Sequence, residues 1–96
     1  MTAYLQMTLA VPEEKRSAAA AVYVRYRRRF LDEVKGAVSK ELLVRDEDVQ
    51  VLHRFVTDQD AWAYLSSGLL LQEIMPELTP LTEGEAEIRI YTVIGD

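Results

Sequence analysis

The sequence contains no cysteine, which excludes disulfides, thiolate metal sites and cysteine nucleophiles. Its single histidine cannot build a multi-histidine metal site, and no spacing signature predicts a metal or a cofactor. The longest uncharged apolar stretch, around residues 69–71, is too short to span a bilayer. The first residues resemble a strand rather than a signal peptide, so we expect a cytoplasmic protein without metal, cofactor or membrane contact.

Acidic residues outnumber basic ones, and the net charge of −5 disfavours binding to a phosphate backbone. The basic residues cluster once, on a predicted helix, at Arg25, Arg27, Arg28 and Arg29. A solvated helix face explains this cluster better than a phosphate or acidic-partner patch does, so we expect no nucleic-acid partner. With 96 residues, 49% of them hydrophobic, the chain is predicted to be a single globular domain over residues 1–96.

Hydrophobic periodicity predicts a β-α-β-β-α-β order. Residues 3–11 alternate as a strand with Leu5, Met7, Leu9 and Val11 on one face. Pro12 begins an alanine-rich helix to about Val34 whose apolar stripe is Ala19, Tyr23, Tyr26, Phe30 and Val34, and Gly36 ends it. Strands follow at 38–45 and 48–57, the second with one face formed by Val49, Val51, His53 and Phe55.

Thr57 and Asp60 resemble a capping box at the start of a helix over residues 58–67. A further helical piece, LLLQEI, is predicted to be broken by Pro76 and Pro80. A polar turn over residues 82–85 then leads to a last strand over residues 86–94.

This order is the α+β, ferredoxin-like arrangement, a four-stranded antiparallel sheet with helices on one face only. The other face combines apolar Tyr4, Leu52 and Tyr91 with polar Gln6 and Arg54, which suits a sheet-on-sheet homodimer. Cross-strand ion pairs on or beside that face are predicted for Arg54, Arg89 and Glu41.

Three stretches, KELLVRDEDVQVLHRF, DQDAWAYLSSGLL and EIRIYTVI, resemble the antibiotic-biosynthesis monooxygenase superfamily in order and spacing. The resemblance covers nearly the whole chain and implies a dimeric α/β barrel with a pocket between helices and sheet in each subunit. Some members oxidise aromatic polyketides with molecular oxygen and no cofactor, others degrade haem, and many are uncharacterised. The shared patterns are structural rather than catalytic, so they specify fold and dimerisation better than activity.

The haem-degrading members carry an asparagine in the first strand, a tryptophan on the second helix shortly before a serine, and an iron-ligating histidine one or two turns later. This chain has no asparagine. It has Tyr64 at the tryptophan position, with Trp62 two residues away, and Ile74 near the histidine position. We therefore do not expect haem degradation.

His53 is the candidate catalytic residue, a general base or ligand donor in the pocket. The alternative is a buried histidine hydrogen-bonded to a neighbour. Candidate ligand-binding residues around it are aromatic, although each could equally be ordinary packing: Phe55, Trp62, Tyr23, Tyr26 and Phe30. The sequence does not decide whether Trp62 or Tyr64 faces the pocket.

Two functions from different classes follow. The first is a dimeric module that binds a small molecule, such as an aromatic ligand, or has an accessory or stress-related role. The second is a cofactor-independent monooxygenase acting on an aromatic or polyketide-like substrate. A cleft where His53 meets another polar group would favour the enzyme, and a filled core would favour the module.

Overall fold

The structure, a computed structural model, describes residues 1–95, so Asp96, the last residue of the predicted domain, lies outside them. Within this range the strands pair antiparallel in the order β2-β3-β1-β4, and no helix is both long and apolar enough to cross a membrane. The elements in chain order are β1 (Ala3–Ala10), a 3-10 turn (Glu13–Lys15), α1 (Arg16–Glu33), β2 (Ala37–Val44), β3 (Val49–Phe55), α2 (Asp58–Leu65), a π-helix (Leu69–Ile74), α3 (Met75–Leu78), a 3-10 turn (Thr79–Leu81) and β4 (Glu83–Thr92). The predicted ferredoxin-like α+β fold is confirmed.

Alternation along the two central strands separates a helix-covered face from an open face. The covered side chains are buried on both β1 and β3: Leu5, Met7, Leu9, Val49, Val51, His53 and Phe55. Helix α1 packs on them through residues three or four apart, Ala19, Val22, Tyr26 and Phe30. The predicted aromatic stripe is therefore confirmed, with Tyr23 and Val34 half-buried at its margins.

Two predicted element boundaries have clear local causes. Gly36 has φ +78°, a left-handed conformation that glycine adopts without strain, and it completes the turn to β2 three residues after α1 ends at Glu33. The Thr57 hydroxyl accepts a hydrogen bond of 3.1 Å from the backbone N–H of Asp60, which caps α2. The turn and the cap determine where the chain leaves and re-enters the helical layer.

Three predicted boundaries were wrong. Pro76 and Pro80 do not break the chain's helical path, because each stands in the first turn of a short helix, where a missing N–H costs no intrahelical bond. Helix α2 ends at Leu65 rather than near Ser67, whereas LLLQEI does form the predicted second helical piece, as a π-helix. Strand β4 begins at Glu83, inside the predicted polar turn, and ends at Thr92, because pairing with β1 continues past a register shift between Thr8 and Ala10.

The open face carries a cross-strand network, but not the predicted one. The guanidinium of Arg54 stacks 5.6 Å from the ring centroid of Tyr4, and the Gln50 amide donates to the Thr8 hydroxyl at 3.1 Å. The predicted ion pairs with Glu41 are wrong, since Arg89 instead approaches Glu87 of its own strand at 3.7 Å. The register explains this, because Glu41 lies on edge strand β2 and Arg89 on the opposite edge.

The arginine cluster of α1 is not simply a solvated face. Arg29 makes a forked pair with Glu73 of the π-helix, at 2.6 and 3.2 Å. Arg25 pairs with Glu77 of α3, which also accepts from the Tyr26 hydroxyl. The Arg29 guanidinium lowers the pKa of the Glu73 carboxyl, as expected for a hydrogen-bonded pair. These exposed pairs connect the helical segment of residues 69–78 to α1, and each contributes little to stability because solvent screens it.

Candidate ligand cavity

A cavity lies between the covered face of the sheet, α1 and the helical segment of residues 69–78. Its wall is largely apolar, with side chains that include Met7, Val22, Val51, Leu70, Ile74 and Leu78. Three buried polar side chains interrupt this wall, and we call them the polar cluster: Lys40, His53 and Tyr64. A mostly apolar enclosure with a few converging polar groups is typical of small-molecule sites.

Lys40 is 3% exposed, although β2 is an edge strand. It alternates with Leu42 and stands opposite His53 in the β2–β3 register, so its side chain lies on the covered face. Helix α1 holds its backbone in place, because Tyr23 and Arg27 both donate to the Lys40 carbonyl, at 2.6 and 3.2 Å. The Lys40 main chain is therefore anchored on the side where its own side chain enters the cavity.

The Lys40 ammonium has no carboxylate among residues 1–95 within 4.0 Å of Nζ. Its nearest compensation is the face of Phe30, whose ring centroid is 5.2 Å from Nζ. Burial disfavours the charged form and lowers the pKa of Lys40 to about 8. Near neutral pH the cavity thus holds an unpaired cation with a small fraction of free amine.

His53 is 1% exposed and lines the cavity. Its Nδ1 is 3.1 Å from the Leu5 carbonyl, which can only accept, so Nδ1 carries the proton and Nε2 is an acceptor. Burial, and secondly the charge of Lys40, lowers the pKa of His53 to about 3. The imidazole is therefore neutral at physiological pH, rather than titrating near neutrality as an exposed histidine would.

Tyr64 completes the polar cluster. It is 2% exposed, its ring centroid is 5.5 Å from that of His53, and its hydroxyl finds no hydrogen-bond partner among the described residues. Burial raises the pKa of this phenol above its usual range, so the hydroxyl stays protonated and can donate. An unsatisfied buried hydroxyl ordinarily costs about 1–3 kcal/mol.

The predicted site residues divide between the cavity and its surroundings. His53 and Tyr23 line the cavity, whereas Phe30, Phe55 and Tyr26 are buried in the adjoining core. Trp62 is 60% exposed on α2 and does not line the cavity, which corrects its predicted placement. Residues two positions apart on a helix, such as Trp62 and Tyr64, point in directions that differ by about 200°. Here Tyr64 is the one that faces inward. The prediction missed Lys40. The signal for it was its alternation with Leu42, which places both side chains on the same face of β2.

The cavity is small, about 20 Å³ measured as the space that the centre of a water molecule can occupy. That volume suffices for one water, which could hydrogen-bond to the polar cluster. A larger occupant requires the helical segment of residues 69–78 to move away from the sheet. The segment is short and irregular, and its fastening to α1 through Arg29 and Arg25 is exposed to solvent.

No protein-family model matches the sequence, and no curated protein matches it significantly. Solved structures do match. A candidate antibiotic-biosynthesis monooxygenase from Bordetella bronchiseptica has a TM-score of 0.84 at 10% identity, covering 97% of each chain. A candidate monooxygenase of the same kind from Caulobacter crescentus has a TM-score of 0.82 at 14% identity, covering 97% of this chain and 90% of its own. The chain has the antibiotic-biosynthesis monooxygenase fold.

A haem-degrading protein from Mycobacterium tuberculosis, with two haems bound in its active site, also has this fold, with a TM-score of 0.74 at 15% identity over 100% of this chain and 98% of its own. The cavity as it stands holds about one water, so haem, like any smaller aromatic ligand, could enter only if the helical segment of residues 69–78 moved. His53 belongs to β3 rather than to a helix, and its Nδ1 is committed to Leu5. At sequence identities of 10–15%, the likeness to these three structures shows a common fold and no common activity.

Proposed function

We propose that this protein is a homodimeric module that binds a small, mostly apolar molecule, such as an aromatic compound bearing an oxygen acceptor, in the cavity of each subunit. The observation that carries the proposal is the polar cluster, in which the Tyr64 hydroxyl has no hydrogen-bond partner and the Lys40 ammonium has no carboxylate within 4.0 Å among residues 1–95. Buried polar groups are nearly always satisfied, so the unsatisfied Tyr64 donor supports an external oxygen acceptor beside the Lys40 cation. A cytoplasmic location, as a single domain without nucleic-acid or membrane partners, remains a prediction of the sequence.

The chemistry of the cavity defines the ligand broadly. An oxygen placed between Lys40 and Tyr64 would accept from both, and the neutral His53 Nε2 could accept from a ligand hydroxyl. The remaining wall is apolar, and the adjoining core is aromatic. The ring centroid of Phe30 lies 5.6 Å from that of Phe55 and 5.1 Å from that of Tyr64. An aromatic body bearing one or two oxygens matches this combination.

The binding test is a panel of phenols and other oxygenated aromatics, measured by calorimetry and by two-dimensional NMR. A ligand of the cavity should perturb the amides around Lys40, His53 and Tyr64. Its affinity should fall about tenfold in Tyr64→Phe, which loses one hydrogen bond of about 1–1.5 kcal/mol. Trp62→Phe is the matched control, since that aromatic side chain is exposed outside the cavity. Equal affinities in all three proteins, or no binding by any compound, would refute the assignment.

The dimer is proposed through the open face of the sheet, where apolar Leu52 and Tyr91 stand beside hydrogen-bonding side chains. Leu52 is on central strand β3 and faces away from the helices, so Leu52→Lys should place two unpaired charges in the interface. We expect sedimentation at micromolar concentration to show a dimer for the wild type and a monomer for this variant. Val24→Lys, on the exposed side of α1, is the control and should remain dimeric. A monomeric wild type would contradict the proposal.

A second candidate function is a cofactor-independent monooxygenase acting on an aromatic substrate. Two observations favour it. His53 meets Lys40 and Tyr64 in one cavity, which is the arrangement expected of an enzyme, and the Lys40 amine is partly unprotonated near pH 8 and could remove a proton from a phenol. The resulting phenolate is electron-rich enough to reduce oxygen. Oxygen consumption that requires a bound phenol and disappears in Lys40→Met would support this function, and its absence with every bound phenol would leave only the binding module.

A further inference from the structure

We propose that Lys40 is a nucleophile that forms an imine with a small aldehyde or ketone bound in the cavity. This inference rests on the proposed function, because the same cavity must admit the carbonyl compound. It assigns to the site a covalent chemistry and a ligand class, and Tyr64 and His53 become groups that serve the amine.

The environment of the Lys40 amine favours its uncharged form. A carboxylate beside Nζ would hold the proton on the amine, and none of the described carboxylates lies within 4.0 Å. The surrounding wall is apolar and 97% of the Lys40 surface is removed from solvent, since only 3% is exposed. Desolvation of this kind is how proteins make lysine nucleophilic near neutral pH. With its pKa lowered to about 8, roughly a tenth of Lys40 is free amine at pH 7.

A hydrogen-bond donor and a hydrogen-bond acceptor line the same cavity as the amine. Tyr64 presents a protonated hydroxyl without a protein partner, which can donate to a carbonyl oxygen and increase the electrophilicity of its carbon. His53 stands opposite Lys40 in the strand register and offers Nε2 as a hydrogen-bond acceptor for an N–H of the amine. The acceptor orients the amine and the donor polarises the carbonyl, and neither side chain has to change its own protonation state.

The reaction balances without a redox partner. The Nζ lone pair attacks the carbonyl carbon, the C–O π electrons move to oxygen, and the proton lost by nitrogen is transferred to that oxygen. The carbinolamine then loses its hydroxyl as water, with the second nitrogen proton leaving alongside it, and a C=N bond remains. One aldehyde and one amine thus give one imine and one water.

The experiment uses the three lysines of the chain, Lys15, Lys35 and Lys40, of which Lys15 and Lys35 are exposed and serve as internal controls. The folded protein is incubated at pH 7 with benzaldehyde and cyanoborohydride, which traps an imine as a stable benzylamine. Peptide mass spectrometry then gives a labelling rate for each lysine, with the N-terminal amine scored separately. An ordinary exposed lysine has about 200-fold less free amine at this pH.

We expect Lys40 to be labelled at least about tenfold faster than Lys15 and Lys35, even though entry to the cavity slows it. Tyr64→Phe should slow labelling of Lys40 several-fold and leave the two exposed lysines unchanged, which a purely structural role would not produce. Lys40→Arg, checked for folding by circular dichroism, should lose the fast site altogether. Labelling of Lys40 no faster than the exposed lysines overturns the proposal.

Benzyl alcohol separates this inference from the proposed function, since it has the same ring and oxygen but no carbonyl group. If benzyl alcohol perturbs the NMR signals of the cavity while benzaldehyde fails to label Lys40, the imine chemistry is refuted and ligand binding stands. If neither compound perturbs the cavity and Lys40 is unlabelled, both proposals fail for this ligand class.

Discussion

Replacing Lys40 by methionine should stabilise the protein, because the substitution keeps the length of the side chain and removes an unpaired buried charge. The lowering of the pKa from 10.5 to about 8 measures how strongly folding disfavours the ammonium. At 1.36 kcal/mol per pH unit this corresponds to at most about 3 kcal/mol. Loss of the cation–π contact with the Phe30 ring reduces this gain by roughly 1 kcal/mol. We therefore expect Lys40→Met to raise the free energy of unfolding at pH 7 by about 2 kcal/mol.

The sign of the pH dependence follows from linkage. Below pH 8 the lysine is charged in both states, and the whole penalty destabilises the folded protein. Between pH 8 and pH 10.5 the folded state releases the proton first, so the unfolded state binds more protons and stability rises with pH. The advantage of Lys40→Met over the wild type should therefore be full at pH 7 and largely gone near pH 10.5.

Urea unfolding followed by far-ultraviolet circular dichroism at pH 7, 8, 9 and 10 measures this difference, at one fixed protein concentration because a dimer's stability depends on it. Comparing two proteins at each pH cancels the titration of groups that they share, such as Tyr64. Lys35→Met is the control, since Lys35 is exposed and its loss should change stability by no more than about 0.5 kcal/mol. A Lys40→Met variant that is less stable than the wild type, or a difference that does not change with pH, would refute the reasoning.

Two further perturbations test other parts of the structure. His53 carries a pKa lowered from 6.5 to about 3, so the unfolded state binds more protons between these values and stability falls as the pH drops through them. Relative to His53→Asn, whose side-chain amide nitrogen lies where Nδ1 does and can donate to the Leu5 carbonyl, the wild type should lose about 2 kcal/mol between pH 7 and pH 5 in urea titrations, and parallel curves would contradict the buried neutral imidazole. Gly36→Ala should destabilise by about 2 kcal/mol or more, because φ is +78° and a Cβ would meet the Asp60 carboxylate and lie 2.8 Å from Asp60 Cβ. Gly84→Ala has a similar φ of +72° with nothing within 4 Å, so a loss as large as that of Gly36→Ala would show that Asp60 is not the obstacle.

Local patterns determined most of the architecture. Period-two alternation was sufficient to place Leu5 and His53 on the covered face, because a strand side chain has only two directions to choose between. The hydroxyl of Thr57 caps α2 through a residue three positions away in the chain, and the left-handed backbone of Gly36 makes the turn that follows α1. Features with a local cause of this kind can be read without knowing what packs against them.

Prolines and ion pairs were predicted less well because their consequences depend on distant partners. The sequence predicts a helix break at Pro76, yet this residue stands in the first turn of a new helix, after a π-helix whose last N–H groups bond one residue further back than in an α-helix. The solvent-exposed Arg29 also has a partner that local patterns do not reveal, because Glu73 lies 44 residues away in sequence and 2.6 Å away in space.

The candidate site itself was decided by tertiary packing. Trp62 and Tyr64 are both large aromatic residues on one short helix, and only the orientation of α2 on the sheet determined that Tyr64 is buried with an unpartnered hydroxyl. Lys40 had the alternation of a covered residue, but whether a lysine at an edge strand is in water or in a cavity depends on the helices above it. The sequence by itself determined which helices and strands form and which of their faces are apolar, because both follow from neighbours along the chain. The three polar groups meet in one cavity only because the sheet register and the helix orientations bring separate elements together.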